Sequence, residues 1–238
     1  MKNSRRTSPW LQQTVLLSSP PDRTDGPPNL LQQLEPATRA SVLALGQTRH
    51  YQPGEQLFRQ GDLHDGIHLI EAGMIKSFYV SEDGRELTLG YWSEGHYVGA
   101  PQVFGGGRHA WTSVAMAKAR CLWLPGPQLR ALSERHGDLA LALVDVLVHK
   151  TQCYCALLQL LATHSMRVRL ARLLVMLASR AGHAGVIDLS HAELAGMIGS
   201  TRQWVSISLS RLEDARILQR LPNGTYLVQD EAALRAVR

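Results

Sequence analysis

The stretch VIDLSHAELAGMIGSTRQWVSISLSRLEDARILQRLPNGTYLV, residues 186–228, decides how this chain is read. Ser190-His191-Ala192-Glu193 has the spacing of a capping box. The Ser hydroxyl accepts from the Glu193 amide while the carboxylate reaches back. Ten residues on, Ser200-Thr201-Arg202-Gln203 reads as a second box. Between them Leu194, Met197 and Ile198 are the strongly apolar positions, and Gly199 lets the chain reverse. Two capped helices this close cross only through a tight turn, which predicts a helix-turn-helix. The segment ILQRL-PNG-TYLV then reads as a hairpin turning at Asn223-Gly224, which adds a wing.

The second helix divides into two faces. Val205, Leu209 and Leu212, at i, i+4 and i+7, form a buried stripe. Arg202, Gln203, Ser206, Ile207 and Ser210 cluster opposite. Arg and Gln at a helix start can pair with guanine and adenine edges in a major groove. Thr201 and the free amides of the first turn suit a phosphate. With the cap Ser190 and the wing-tip Asn223, the candidate DNA-contacting set is Ser190, Thr201, Arg202, Gln203, Ser206, Ile207, Ser210 and Asn223. Trp204 faces either the first helix or sugar and phosphate.

Charge supports that reading. Residues 163–238 hold ten Arg, no Lys and six acids, whereas residues 1–162 hold fifteen basic and fourteen acidic groups. The basic surplus of a chain with net charge +5 therefore sits with the two capped helices, where a polyanion partner suits it.

Upstream, residues 1–28 contain SSPPDRTDGPP and read as a flexible arm. A short helical segment is expected over 29–47. Residues 50–125 alternate short apolar runs with Gly and Asp turns, the pattern of an antiparallel β sandwich or roll. Asp83-Gly84 is a good hairpin turn between Phe78-Tyr79-Val80 and Leu87-Thr88-Leu89. From Leu129 to Arg180 the pattern is helical, with Gly182 as a stop. Leu143, Leu147, Lys150, Tyr154, Leu157 and Leu161 are spaced 4, 3, 4, 3, 4, which predicts a seam for a second copy. Lys150 in that seam costs stability unless it finds a partner.

The chain resembles the Crp/Fnr family of bacterial transcription regulators. The resemblance rests on PGEQLFRQGD (53–62), IHLIEAGMIKSF (67–78), RVRLARLLVMLA (167–178) and LAGMIGSTRQWVSISLSRLEDARIL (194–218). It implies an α+β fold: an N-terminal antiparallel β-roll of the cyclic-nucleotide-binding, jelly-roll type, a long dimerisation helix and a C-terminal winged helix-turn-helix. The expected division is arm 1–28, β-roll sensor-like domain 29–135, dimerisation helix 136–162 and DNA-binding domain 163–238. The resemblance places Arg202 as a guanine reader, Gln203 where Glu often sits, and Ser206 at a base-contacting position. Ile207 departs, because members carry Arg there.

The family's nucleotide clamp also departs. Ala100 stands at the place of a Glu, and Trp111-Thr112 at the place of Arg-Ser. Arg108 is the nearby cation, and Tyr154 and Cys155 stand at the purine contacts. Arg108, Trp111, Thr112 and Tyr154 are thus the candidate effector pocket, for an effector other than cyclic AMP. Residues 1–28 hold no Cys, which removes the ligands of an N-terminal iron–sulfur cluster. Cys153 and Cys155 read as small buried or half-buried thiols, with a redox bridge from Cys153, which flanks the seam, to its symmetry mate as the alternative.

His64, His68, His96 and His109 carry no tight ligand spacing, so no metal site and no cofactor are expected. Polar residues break the apolar run 139–161, which argues against a membrane span. Three Cys and no secretory leader fit the cytoplasm. The expected partners are double-stranded DNA and a second copy of the chain, with RNA polymerase and a small-molecule effector as further candidates. An effector would act by changing the angle at Ala162-Thr163-His164. The expected activity is non-enzymatic regulation; the rival readings are a regulator responsive to cyclic AMP or another cyclic nucleotide and, in another class, a cupin-like small-molecule or metal-binding protein.

Overall fold

The computed structural model describes residues 29–99, 107–180 and 185–238; the arm 1–28, Ala100 and Gly182 lie outside these residues. Clustering of contacts separates two compact units. One holds residues up to Tyr79 and Leu89–Cys155, the other Val80–Thr88 and Ala156–Arg238.

The first unit begins with a short 3-10 turn, Leu30–Gln33, and helix α1, Pro36–Leu45. Pro36 opens α1, where its missing N–H costs nothing. Strands follow: β1 Gln47–Tyr51, β2 Gln56–Phe58, β3 Gly66–Ala72, β4 Ile75–Val80, β5 Glu86–Trp92, β6 Tyr97–Val98, β7 Thr112–Ala115 and β8 Ala119–Pro125. They form two four-stranded sheets, ordered β1-β8-β3-β6 and β2-β7-β4-β5. The pairings described run antiparallel. The β4–β5 turn falls where the Asp83-Gly84 pair predicts it, with Gly84 at φ 78°.

The first sheet is buried on both faces, which explains why β3 reads as the continuous run GIHLI rather than as an alternation. One face gives Ile67, Leu69, Tyr97, Leu122 and Leu124 to a core shared with the helices. The other gives Tyr51, Ile70, Val98, Ala119 and Cys121 to the interior of the roll, with Phe58, Ile75 and Trp92. Helices α2, Gly126–Arg135, and α3, Gly137–Thr163, supply Leu129, Leu132, Leu139, Ala142, Leu143 and Val146 to the first core.

In the second unit α4 spans Met166–Arg180 and buries Leu170, Leu173, Leu174 and Leu177. Helices α5, His191–Ile198, and α6, Arg202–Asp214, follow, and α7, Glu231–Arg235, closes the chain. The wing is a three-stranded sheet rather than a bare hairpin. Its order is β10 Leu218–Arg220, β11 Tyr226–Val228, β9 Val186–Ile187.

Candidate nucleic-acid interface

The turn between α5 and α6 is built by three local devices. Ser190 and Glu193 form the full capping box at the start of α5. Gly199 ends α5 in the left-handed region at φ 67°, where a side chain would be strained. The Ser200 amide then donates back to Ala195 O at 2.9 Å. Thr201, not Ser200, caps α6, its hydroxyl accepting from the Trp204 amide at 3.2 Å. The Ser200 amide closes the previous helix, and its buried hydroxyl has no partner among the described residues. No Glu stands at position 204, so α6 has a cap without a reciprocal box.

Val205 and Leu209 are fully buried, and Leu212 is half-buried. On the other side Arg202, Gln203, Ile207 and Ser210 are exposed. Ile207 is a large apolar side chain left 47% exposed. Among the described residues no carboxylate pairs with Arg202. The remaining candidates differ. The Ser190 hydroxyl accepts from Glu193 N and donates to Glu193 Oε2 at 2.5 Å, so it is engaged in the capping box. Asn223 Oδ1 accepts from the amide and hydroxyl of Thr225, fixing the wing turn, while its residue stays exposed. Trp204 is half-buried. It lines a cavity of about 260 Å³ with Leu170 and Ala171 of α4, flanked by Arg167 and Arg211.

Ser206 is not free either. Its Oγ lies 2.6 Å from His191 Nδ1, and His191 Nε2 lies 2.8 Å from the Tyr226 hydroxyl. One imidazole thus joins α5, the reading face of α6 and the wing. Desolvation, and then Arg220 and Arg202, hold His191 below the usual histidine pKa. The sequence pattern does not reveal this link, because its three polar residues stand 15 and 20 positions apart and follow no helical or strand period.

The candidate effector residues do not gather into an anion clamp. Arg108 is exposed and donates to Gly61 O at 2.7 Å. The Thr112 hydroxyl accepts from the Gln60 amide at 3.0 Å. Trp111 and Tyr154 both pack on the second core, Tyr154 edge-on to Trp92 at 6.2 Å. His68 and His96 are buried and pushed down to about 3 by burial, which makes them neutral core groups. Among the described residues no three His, Cys, Asp or Glu side chains gather as a metal site.

The seam expected on α3 needs correction. Leu143, Lys150 and Leu157 are buried within the chain, and Leu143 belongs to the first core. The Lys150 ammonium sits 3.5 Å above the Trp92 ring centre and 5.5 Å from that of Tyr97. Its partner is an aromatic face, and burial pushes its pKa down to about 7. The exposed residues of α3 include Leu141, Val144, Val148, Thr151, Cys155 and Leu158, together with Leu147, Asp145, Gln152 and Gln159. The first six are spaced 3, 4, 3, 4, 3, a heptad stripe displaced from the expected one. The cysteines divide on the same helix. Cys153 is buried with its Sγ 3.8 Å from His149 Nε2, and Cys155 is the exposed thiol on the stripe.

Residues 48–136 match the cyclic nucleotide-binding domain, and residues 168–237 match the Crp-like helix-turn-helix domain. The chain is 29% identical over 208 residues to the cyclic AMP receptor protein of Thermus thermophilus, covering 87% of this chain and 95% of that one. It is 24% identical to the fumarate and nitrate reduction regulatory protein of Salmonella typhimurium, covering 78% and 76%. The solved structure of the c-di-GMP responsive global regulator CLP of Xanthomonas campestris superposes with a TM-score of 0.74 at 20% identity. That match covers 82% of this chain and all of that one, and supports the fold. With a β roll, a long helix and a capped, winged helix pair each matched in order, the chain belongs to the Crp/Fnr family of transcription regulators.

Proposed function

We propose that this regulator binds double-stranded DNA in a sequence-specific way, as a homodimer on a palindromic operator in the cytoplasm. The observation that carries the reading is the exposed face of α6, which opens with Arg202 and Gln203 and has no carboxylate on Arg202. Arg202 supplies a fork for a guanine edge, Gln203 an amide for adenine, and Ile207 an apolar contact for a thymine methyl. Asn223 brings the wing to the backbone. The heptad stripe of Leu141, Val144, Val148, Thr151, Cys155 and Leu158 joins two copies, so that two α6 helices meet successive major grooves about one turn apart. By length and composition α3 would also span a bilayer. Its Leu139, Leu143 and Val146 in the first core support the soluble use instead. RNA polymerase is the partner through which a protein placed this way acts.

The effector is a small molecule other than cyclic AMP. The outward Arg108, the engaged Thr112 hydroxyl and the packed Trp111 all speak against a phosphate clamp. The protein regulates and does not catalyse. The cupin-like rival requires gathered ligands, which the described histidines do not offer.

A fluorescence-anisotropy titration of the purified protein against mixed duplex DNA at several salt concentrations tests the reading. Affinity falls steeply, with log K dropping by about 0.9 per phosphate neutralised for each unit of log salt. A flat response overturns it.

A further inference from the structure

The hydroxyl of Ser206 differs from five other helical hydroxyls in this protein. Ser41, Ser133, Thr151, Thr163 and Ser179 each donate to the carbonyl four residues back. Ser206 instead lies against His191 Nδ1, whose other nitrogen lies against Tyr226. A neutral imidazole carries one N–H and one lone pair, so the two contacts have opposite sense. The buried end of the chain decides which. Tyr226 is 2% exposed, and among the described residues its hydroxyl has His191 as hydrogen-bond partner. If Nε2 carried the hydrogen, the Tyr226 O–H would have no acceptor. That loss of a buried donor's partner is a large cost beside the small difference between tautomers. Tyr226 therefore donates to Nε2, the hydrogen sits on Nδ1, and Nδ1–H donates to Ser206 Oγ. The Ser206 hydrogen is left to point outward.

We propose that His191, oriented by Tyr226, fixes Ser206 as an outward hydrogen-bond donor and so makes His191 a specificity-determining residue that touches no base. This rests on reading α6 as the DNA-reading helix. A donor at Ser206 favours guanine N7 or O6, or thymine O4, over the amino group of cytosine or adenine. The wing thereby acts on base choice from behind the helix, through a ring at the first turn of α5. The charged groups nearest the ring are Arg220, Arg202 and Glu213.

Two measurements test this on the full chain. Long-range proton–nitrogen NMR of histidine-labelled protein, with His191→Gln used for assignment, is expected to find Nδ1 protonated and Nε2 bare. A ring protonated at Nε2 overturns the proposal. The second is selection from random duplex DNA by the wild type, Ser206→Ala, His191→Phe and Tyr226→Phe. The wild type is expected to prefer an acceptor base at one position by on the order of fivefold to tenfold. Ser206→Ala and His191→Phe lose that preference at the same position. Tyr226→Phe, which removes a single oxygen, frees the tautomer and weakens or inverts the preference there. If His191→Phe does not fold by circular dichroism, Tyr226→Phe carries the test. A folded His191 or Tyr226 variant with the wild-type preference, where Ser206→Ala has lost it, overturns the proposal. Wild-type protein that selects no sequence refutes the DNA-reading assignment itself, and the NMR result then still decides the tautomer.

Discussion

Helices α6 and α3 solve the same geometric problem with opposite chemistry. Each keeps one face against its own chain and leaves another open. On α6 the open face is Arg202, Gln203, Ile207 and Ser210, and the closed one is Val205 and Leu209. On α3 the open face is the apolar heptad from Leu141 to Leu158, and its closed positions include a lysine, Lys150 over Trp92. A polar open face on an apolar support suits a hydrated, charged partner. An apolar open face suits one of its own kind, because only burial of both removes that surface from water. The difference shows that polarity alone does not tell which face of a helix is inside; what stands next to each residue does.

The largest effect is expected from charging the open face of α3. Val148→Glu with Leu158→Glu should leave the fold intact and turn the dimer into a monomer by analytical ultracentrifugation. Loss of the second reading helix should lower operator affinity more than a hundredfold, by the effective-concentration argument. A variant that stays dimeric would remove the heptad from the interface.

The closed face of α3 sharpens the comparison in the other direction. The folded pKa of Lys150, near 7, lies below its unfolded value of about 10.5. The unfolded chain therefore binds the proton more tightly. The penalty is complete below pH 7 and is relieved as pH rises from 7 toward 10.5. Lys150→Met should be more stable than the wild type by roughly 4 kcal/mol below pH 7, with the gap closing above it. Parallel denaturant titrations at pH 6 and pH 9.5 read this out. A gap that does not narrow with pH contradicts the burial of the ammonium over Trp92.

On α6, Arg202→Ala should weaken binding to a selected site by about 1–3 kcal/mol and relax the preference at one base pair, without a change in thermal stability. A lower melting temperature would mean that Arg202 supports the fold. The smallest effect concerns sulfur. Mild oxidation should give a covalent dimer in the wild type and in Cys153→Ser, but none in Cys155→Ser, on non-reducing gels. Cross-linking through Cys153 would contradict the position of the stripe.

The legible and illegible parts of the chain separate on the same comparison. The α5–α6 pair could be read because its signals are local: Ser190 and Glu193 three apart, Gly199 at the turn, Val205 and Leu209 four apart. The turn at Gly84 is local in the same way. The side of α3 that packs is not legible in the sequence, since apolar residues stand on more than one face and heptads fit in two registers. Only the burial of Leu143 in the first core and of Lys150 over Trp92 chooses between them. The third wing strand, β9, was missed because two residues, Val186 and Ile187, carry no period. The bond from Ser206 to His191 lay within the decisive stretch, yet it depends on how α5 and α6 cross rather than on spacing.

The central claim is that α6 reads sequence and α3 doubles it. Selection of bound duplexes from a random library, with the wild type and the Val148→Glu, Leu158→Glu variant side by side, tests both halves at once. The wild type should enrich two inverted half-sites centred about one helical turn apart, each holding a guanine that Arg202→Ala no longer requires. The monomeric variant should enrich a single half-site weakly or nothing. Enrichment of no sequence by the wild type, or of the same paired site by the monomeric variant, would contradict the account.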